Sequence, residues 1–324
     1  MGTIIEYRNL FQNSSTKEEK MKIVKKVFEK ERMLFDYCKF MENNPCVEIC
    51  IKENIVYATF NIEGQLIKMS LDAMDMAAVP YTILMQGEYE KKEFDMVMDL
   101  LNLCDKNSVV FDVGANLGWY GINIKKRLPS YKIHFFEPVS STYHRLCENI
   151  SLNNMGEEVI NNIGFSDKTD VVKFFYDVTA SGASSMADLR EEKTTKQISV
   201  NMLTMDEYVH AEGIHRLDFI KCDVEGSEFL VYKGGEETLK KYKPIVFSEI
   251  LRKWSAKFGY HPNDIIDFFN DIGYQCYICE DEKLVKFDRV NESTIQTNYF
   301  FLHKEKHREI IDKLCAENKY EIDS

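Results

Sequence analysis

The run Val109-Val110-Phe111-Asp112-Val113, followed at once by Gly114-Ala115-Asn116-Leu117-Gly118, constrains this chain more than any other feature. Five mostly apolar residues that stop at a glycine read as a buried parallel strand. Trp119-Tyr120-Gly121-Ile122-Asn123-Ile124 then starts a helical pattern. A strand that turns through glycines into a helix lets backbone lie directly against a ligand. Asp112 stands two places before Gly114, so this turn carries a carboxylate and favours a cationic group over a phosphate.

The glycine spacing narrows the ligand. A dinucleotide loop has G-x-G-x-x-G, with a pyrophosphate at the helix N-terminus. Here Asn116 occupies the place of the second glycine and the spacing is Gly114-x-x-x-Gly118, which disfavours a dinucleotide-dependent oxidoreductase. The phosphate-cradling G-x-x-x-x-G-K-[ST] pattern is also absent. A loop offering a carboxylate, a side-chain amide and backbone N–H groups suits a ligand with an amino-acid end. Downstream, Lys132-Ile133-His134-Phe135-Phe136 is a second apolar run, closed by Glu137 and Pro138. Glu137 follows Asp112 by 25 places, close to the spacing at which an acid on the next strand grips a ribose diol, about 20 residues past the loop. Amino-acid end plus nucleoside describes S-adenosylmethionine, whose sulfonium supplies the positive charge.

Along the rest of the chain, strands expected at Val109–Val113, Lys132–Glu137, Val159–Ile163, Asp218–Val224 and Pro244–Glu249 alternate with helices at Trp119–Arg127, Ser141–Leu152, Ser227–Lys241 and Pro262–Ile272. Such alternation predicts a parallel sheet with helices on both faces. Gly273–Cys279 and Thr297–His303 add two strands, the second expected as a hairpin partner, and Lys304–Ser324 reads as a surface helix. Between the third and fourth strands, Val171–Tyr176 and Gln197–Asn201 look like an antiparallel insertion. The small polar loop Thr179–Ser185 that follows the first of them has the composition of a segment lying over a ligand. Residues before about 78 read separately: a helix over Lys17–Met41, then strands at Val47–Lys52, Ile55–Phe60 and Leu66–Ser70. A further helix spans Glu88–Leu103.

In open parallel sheets, ligands bind beyond the carboxyl ends of the strands. The fourth strand ends in Lys221-Cys222-Asp223-Val224-Glu225-Gly226-Ser227-Glu228 and the fifth in Ser248-Glu249. Asp223, Glu225, Glu228 and Glu249 are therefore expected at the same rim as Asp112 and Glu137. Carboxylates crowded together need cations, metal or protons. A sulfonium is one such cation and Lys221 another. Asp223 and Glu249 are the candidate catalytic groups, as bases toward an alcohol or as ligands of an activating divalent metal. The metal stays an open alternative and is not the expectation. His261, at a helix start, reads first as a cap.

Composition excludes other classes. The net charge of −12 over 324 residues repels nucleic-acid backbone. No Asn-Pro-Pro-Tyr or Asp-Pro-Pro-Tyr follows the fourth strand and no G-x-S-x-G elbow exists, which argues against nucleic-acid amino methylation and against hydrolysis. No apolar run is long enough to span a bilayer, and the N-terminus lacks the pattern of a secretion signal. Nine scattered cysteines are read as reduced thiols in a cytoplasmic setting. The spacings of Cys46-x-x-x-Cys50 and Cys276-x-x-Cys279 are unequal and do not make a zinc site.

The blocks Phe111–Gly118, Phe136-Glu137-Pro138, Ser166-Asp167, Lys221–Glu228 and Pro244–Glu249 together resemble the FkbM-type family of S-adenosylmethionine-dependent methyltransferases, over roughly Gly87–Phe301. The resemblance implies an α/β, class I (seven-stranded, Rossmann-like) methyltransferase fold over residues 79–324 and O-methylation, often of sugar or polyketide hydroxyls. It also implies a cofactor site in which Asp112, Gly114 and Asn116, with Gly118, line the methionine end, Glu137 and Pro138 the ribose, and Phe165 and Ser166 the adenine. Residues 1–78 match nothing in that family. They are expected to form a small α+β appendage for acceptor binding or for homo-oligomer formation. The expected partner is a small-molecule or glycan acceptor. The alternative from another class is a non-catalytic binding or scaffold protein that keeps the fold.

Overall fold

The computed structural model describes residues 3–156, 158–177, 179–187 and 195–315. The chain opens with two helices, α1 (Ile4–Asn13) and α2 (Lys17–Phe40), each started by a capping box, Thr3 with Glu6 and Thr16 with Glu19. Neither helix buries a residue, and Phe28, Leu34 and Phe35 stand exposed on the second. An antiparallel meander follows, β1 (Cys46–Lys52), β2 (Ile55–Ile62) and β3 (Gln65–Leu71), then α3 (Val79–Gln86) and α4 (Lys91–Asn102).

The alternating part runs β4 (Val109–Val113), α5 (Trp119–Arg127), β5 (Lys132–Phe136), α6 (Ser140–Leu152) and β6 (Val159–Asn161). A small inserted sheet comes next, β7 (Gly164–Phe165), β8 (Asp170–Asp177) and β9 (Thr195–Leu203), with α7 (Met205–Ala211) behind it. The series resumes with β10 (Phe219–Cys222), α8 (Glu228–Lys233), α9 (Glu236–Tyr242), β11 (Ile245–Glu249), α10 (Arg252–Ser255) and α11 (Pro262–Asp271). It ends in β12 (Tyr274–Glu280), β13 (Lys283–Lys286), β14 (Asn298–His303) and α12 (Arg308–Leu314).

The large sheet has the order β13-β12-β14-β11-β10-β4-β5-β6. Strands β6, β5, β4, β10 and β11 pair in parallel, and β14 runs antiparallel to both its neighbours. Successive side chains of a strand point to opposite faces, and the core divides accordingly. Val110, Phe219, Ile245, Phe247, Phe300 and Leu302 join one apolar cluster, while Phe111, Ile220, Val246 and Phe301 join the other. The first cluster takes in the meander through Phe60, Ile67 and Met69, alongside Ile133 and Phe135 of β5. The meander's outer strand β3 would otherwise leave an unpaired edge. Asn149 of α6 and Asn153, its C-cap, cover it: Asn149 Oδ1 accepts from Ser70 N–H at 2.7 Å, and Asn153 both accepts from Lys68 N–H and donates to its carbonyl.

The structure departs from the sequence expectations in three places. The single helix expected over Ser227–Lys241 is two, α8 and α9, broken at Gly234-Gly235. A Cβ on Gly234 would sit 2.0 Å from the Ser166 carbonyl oxygen, so the chain passes there only as glycine. The strand expected as a hairpin partner, β14, does pair antiparallel with β12, but it is wedged between β11 and β12, and a further tight hairpin, β12–β13, is added at the edge. Of the expected C-terminal helix, α12 is the described part, and 316–324 lie outside the described residues.

Candidate cofactor and acceptor site

After β4 the chain leaves outward through β5 and β6 and returns on the other side as β10. The ends of β4 and β10 therefore lie side by side at a switch in strand order, with Asp112 paired to Lys221 and Val113 to Cys222. A cavity opens at this place. Asp112, Gly114, Asn116, Glu137, Pro138, Asp223 and Glu249, all expected at the site, line it.

The turn after β4 is built by backbone. Gly114 and Ala115 both donate their N–H to the Phe136 carbonyl. Gly114 has φ +72°, and a Cβ there would lie 1.8 Å from the Asp223 carbonyl oxygen, so only glycine lets the two strand ends meet. Asn116 takes φ +50°, a left-handed conformation that asparagine tolerates. Its N–H donates to Glu137 Oε2 at 3.0 Å, and Val139 N–H donates to Glu137 Oε1 at 2.9 Å. The Glu137 carboxylate thus ties the glycine turn to the start of α6. Burial nevertheless pushes its pKa up to about 7, against these two N–H donors and Lys221. Each carboxylate oxygen keeps a lone pair for a ligand hydroxyl.

Asp112 is 1% exposed. Its Oδ2 accepts from Gly121 N–H at 3.0 Å, an approach open because residue 121 is glycine: a Cβ there would strike the Phe135 ring. Lys221 Nζ donates to the Gly114 carbonyl at 2.9 Å and to Asp223 Oδ2 at 3.3 Å, and lies 3.8 Å from Asp112 Oδ1. Burial opposes its charge, but Asp223, Asp112 and Glu90 outweigh burial and hold the ammonium above its ordinary range.

The rest of the rim is acidic. Burial, then Asp223 and Glu90, push Glu249 up to about 9. Burial, with Asp223 and Glu249, raises Glu225 well above the ordinary carboxylate range. Glu228 turns back into its own loop, accepting from Val224 N–H and Gly226 N–H, and Tyr260 donates its hydroxyl to the other oxygen at 3.0 Å. Glu90, just before α4, accepts the Tyr120 hydroxyl at 2.7 Å. His261 caps α11, its Nδ1 accepting from Asn263 N–H. Among the described residues no group of three or more His, Cys, Asp or Glu is arranged to hold a metal ion, and no helix is long and apolar enough to cross a membrane.

Three expected residues do not line the cavity. Gly118 shapes the turn from behind at φ +85°, where a Cβ would meet Leu146. Phe165 is 1% exposed and completes an aromatic cluster with Phe111, Phe136 and Tyr208, its ring centroid 4.4 Å from that of Phe136. Ser166 is buried beside Gly234 and donates its N–H to the Leu203 carbonyl. On that side the apolar wall comes from Pro138 and from Phe174 of the inserted β8. Tyr89, Trp119 and Tyr120 also line the cavity, and their sequence pattern alone marks them only as helix positions.

The loop over the mouth is the small polar one. Ser181, Gly182 and Ser184 line the cavity from above. Asp75, 1% exposed, holds this strap: Ser181 donates its hydroxyl to Asp75 Oδ2 at 2.6 Å, and Arg145 of α6 pairs with the same oxygen at 2.7 Å. At its far end Ser185 donates to the Glu225 carbonyl at 2.8 Å.

Leaving aside the added edge strand β13, the sheet runs 6-7-5-4-1-2-3 with strand 7 reversed, and the first strand ends in a glycine turn. This is the class I, Rossmann-like methyltransferase fold. The Methyltransferase FkbM domain model matches residues 112–276, and the chain belongs to that family. Similar proteins include methyltransferase sdnD of Sordaria araneosa, 25% identical over 51% of this chain and 73% of that one. Another is the hexuronic acid methyltransferase AglP of Haloferax volcanii, 27% identical over 48% of this chain and 61% of that one. The crystal structure of methyltransferase FkbM from Methylobacillus flagellatus KT is 14% identical with a TM-score of 0.40, covering 62% of this chain and 45% of that one.

Proposed function

We propose that this methyltransferase uses S-adenosylmethionine to methylate a hydroxyl of a small molecule or glycan. The observation that carries the reading is the carboxyl-rich lining of the cavity. Asp112, Glu137, Asp223, Glu225 and Glu249 line it, and its lysine, Lys221, is already engaged by Asp112, Asp223 and the Gly114 carbonyl. Such a site suits a cationic ligand. The residues fit that donor in two further respects: Asp112 Oδ1 is buried without a hydrogen bond among the described residues, and the floor at Gly114 has no room for a side chain.

When bound, S-adenosylmethionine supplies an electrophilic methyl group on a positively charged sulfur. Asp112 would hold the ammonium end. Glu137 would accept from the ribose hydroxyls while keeping its two backbone donors. Pro138 and Phe174 offer the apolar surface for the base. On the acceptor side, Asp223 and Glu249 are the groups to orient the hydroxyl and take its proton. Burial and the neighbouring carboxylates push Glu249 up to about 9, which favours its protonated form at neutral pH. A cation in the cavity favours its ionised form, the form able to accept a proton. A sugar-type acceptor has support from the relative named as a hexuronic acid methyltransferase.

Calorimetry with S-adenosylhomocysteine is expected to show binding that is lost in Asp112→Ala and in Glu137→Ala. Unchanged affinity in both variants would remove the site. Label transfer from a methyl-labelled donor to a panel of sugars and polyols separates an enzyme from a scaffold that merely keeps the fold. Label recovered on an amine would replace O-methylation with N-methylation.

A further inference from the structure

One of the two tryptophans of this chain opens α5 directly after the glycine turn. Trp119 is 5% exposed and lines the cavity, yet its indole Nε1–H has no acceptor among the described residues. A buried indole N–H almost always finds a partner, because an unmet donor away from water is costly. Its ring is fixed, packed in the core and braced edge-on by Tyr89 at 6.3 Å.

Within the same turn lies the complementary vacancy. Asp112 spends one oxygen on Gly121 N–H, and its other oxygen, Oδ1, accepts no hydrogen bond among the described residues. Lys221 Nζ is the cation beside it, at 3.8 Å, and is directed instead to Gly114 and Asp223. The helix itself starts at Gly118, which has no side chain to cap it, and Asp112 Oδ2 serves the Gly121 N–H of its first turn. An unmet donor at a helix start and an unmet carboxylate oxygen, both on cavity-lining residues, match a zwitterion.

We propose that Trp119 Nε1–H donates to the carboxylate of the methyl donor's amino-acid end while Asp112 Oδ1 accepts from its ammonium, the two forming one clamp. This rests on reading the cavity as the S-adenosylmethionine site, and it adds a recognition residue that the glycine turn alone does not supply. The clamp reads the amino-acid end alone. It is indifferent to the charge on sulfur and to the nucleoside.

Two ligands separate these contributions. S-adenosylhomocysteine keeps the amino-acid end, whereas 5′-methylthioadenosine has the nucleoside and thioether without it. Trp119→Phe keeps the ring and removes the donor. Its affinity for S-adenosylhomocysteine is expected to fall about tenfold to a hundredfold, as for a hydrogen bond to a charged group, with methylthioadenosine affinity unchanged. Equal weakening of both ligands means that the ring acts only structurally, and no weakening means that the donor is not used; either result overturns the proposal. A second measurement needs no variant. With two tryptophans, the native protein labelled with ¹⁵N has two indole signals, and that of Trp119 is expected to move downfield with S-adenosylhomocysteine and not with methylthioadenosine. An unmoved signal in the presence of bound S-adenosylhomocysteine refutes the contact. If the native protein binds neither ligand, the reading of the cavity has failed, and the clamp with it.

Discussion

Loading the cavity with a cation should expel a proton. The perturbation is simple: S-adenosylmethionine and S-adenosylhomocysteine differ by a methyl group and one positive charge. Glu249 is held at about 9 by burial, Asp223 and Glu90, with Glu225, Glu228 and Lys221 in the same field. A charge inside such a pocket lies on the order of 6 Å from the carboxyl groups of its wall. At an effective dielectric of about 20, that separation is worth about 3 kcal/mol, or about two pK units. Glu249 would then fall from about 9 to about 7. At pH 8 its ionised fraction would rise from about a tenth to about nine tenths, releasing about 0.8 proton. The sign follows: affinity for the sulfonium form climbs several-fold per pH unit between about 7 and 9, while that for the neutral thioether stays flat. Titration calorimetry at pH 8, in phosphate and in Tris, reads the proton count from the dependence of enthalpy on buffer. Glu249→Gln should lower the count, leaving the part that Glu225 releases. Equal proton release by both ligands, or none with the sulfonium, would refute the electrostatic reasoning.

Other consequences can be checked on the protein alone. Burial holds both Glu137 and Glu228 at about 7, above the ordinary 4.5, so between these values the folded state binds more protons than the unfolded one. Stability should therefore be fully present below about pH 4.5 and decline as pH rises through 7, by roughly 3 kcal/mol per group; urea melts at pH 5 and pH 8 give the slope, and a rise would contradict the burial. Gly114→Ala, forced against the Asp223 carbonyl at positive φ, should cost about 2–4 kcal/mol and abolish ligand binding; a variant within 1 kcal/mol of native would show that the strand ends do not touch. Asp75→Ala strands the mostly buried Arg145 and should cost about 3 kcal/mol. Hydrogen exchange at Ser181 and Ser185 should quicken in that variant and stay unchanged if the strap is held by other contacts.

Where order is decided within a few neighbouring residues, it could be read from the chain. The bounds of β4 and α5 agree residue for residue with expectation, because an apolar run, two glycines and an amphipathic start are adjacent in sequence. The meander, the inserted pair β8 and β9, and the carboxylate rim followed from equally local patterns. The break between α8 and α9 falls at Gly234-Gly235, a local signal, but the need for glycine there comes from the carbonyl of Ser166, far away in sequence. Strand β13 could not be read, because its Lys283-Leu284-Val285-Lys286 is too short and polar to stand out. The asparagines that cover β3 look like ordinary polar positions of a helix until the meander is laid beside them. In the site, acids and glycines announced themselves by type and spacing. The aromatic lining residues Tyr89, Trp119 and Phe174 carry no such mark, because an aromatic side chain is usually core. Phe165 shows the reverse: a residue placed at the ligand by resemblance belongs to the interior.

Asp75 lies outside the stretch that the family model matches, yet it fastens the mouth of a pocket formed within that stretch. The covering loop is thus pinned partly from outside that stretch, by Asp75, and partly from within it, by the Glu225 carbonyl. Replacing that segment alone could change how long a reactant stays inside while leaving the strand-end carboxylates untouched. A lineage that alters this latch can retune turnover without rebuilding the engine behind it.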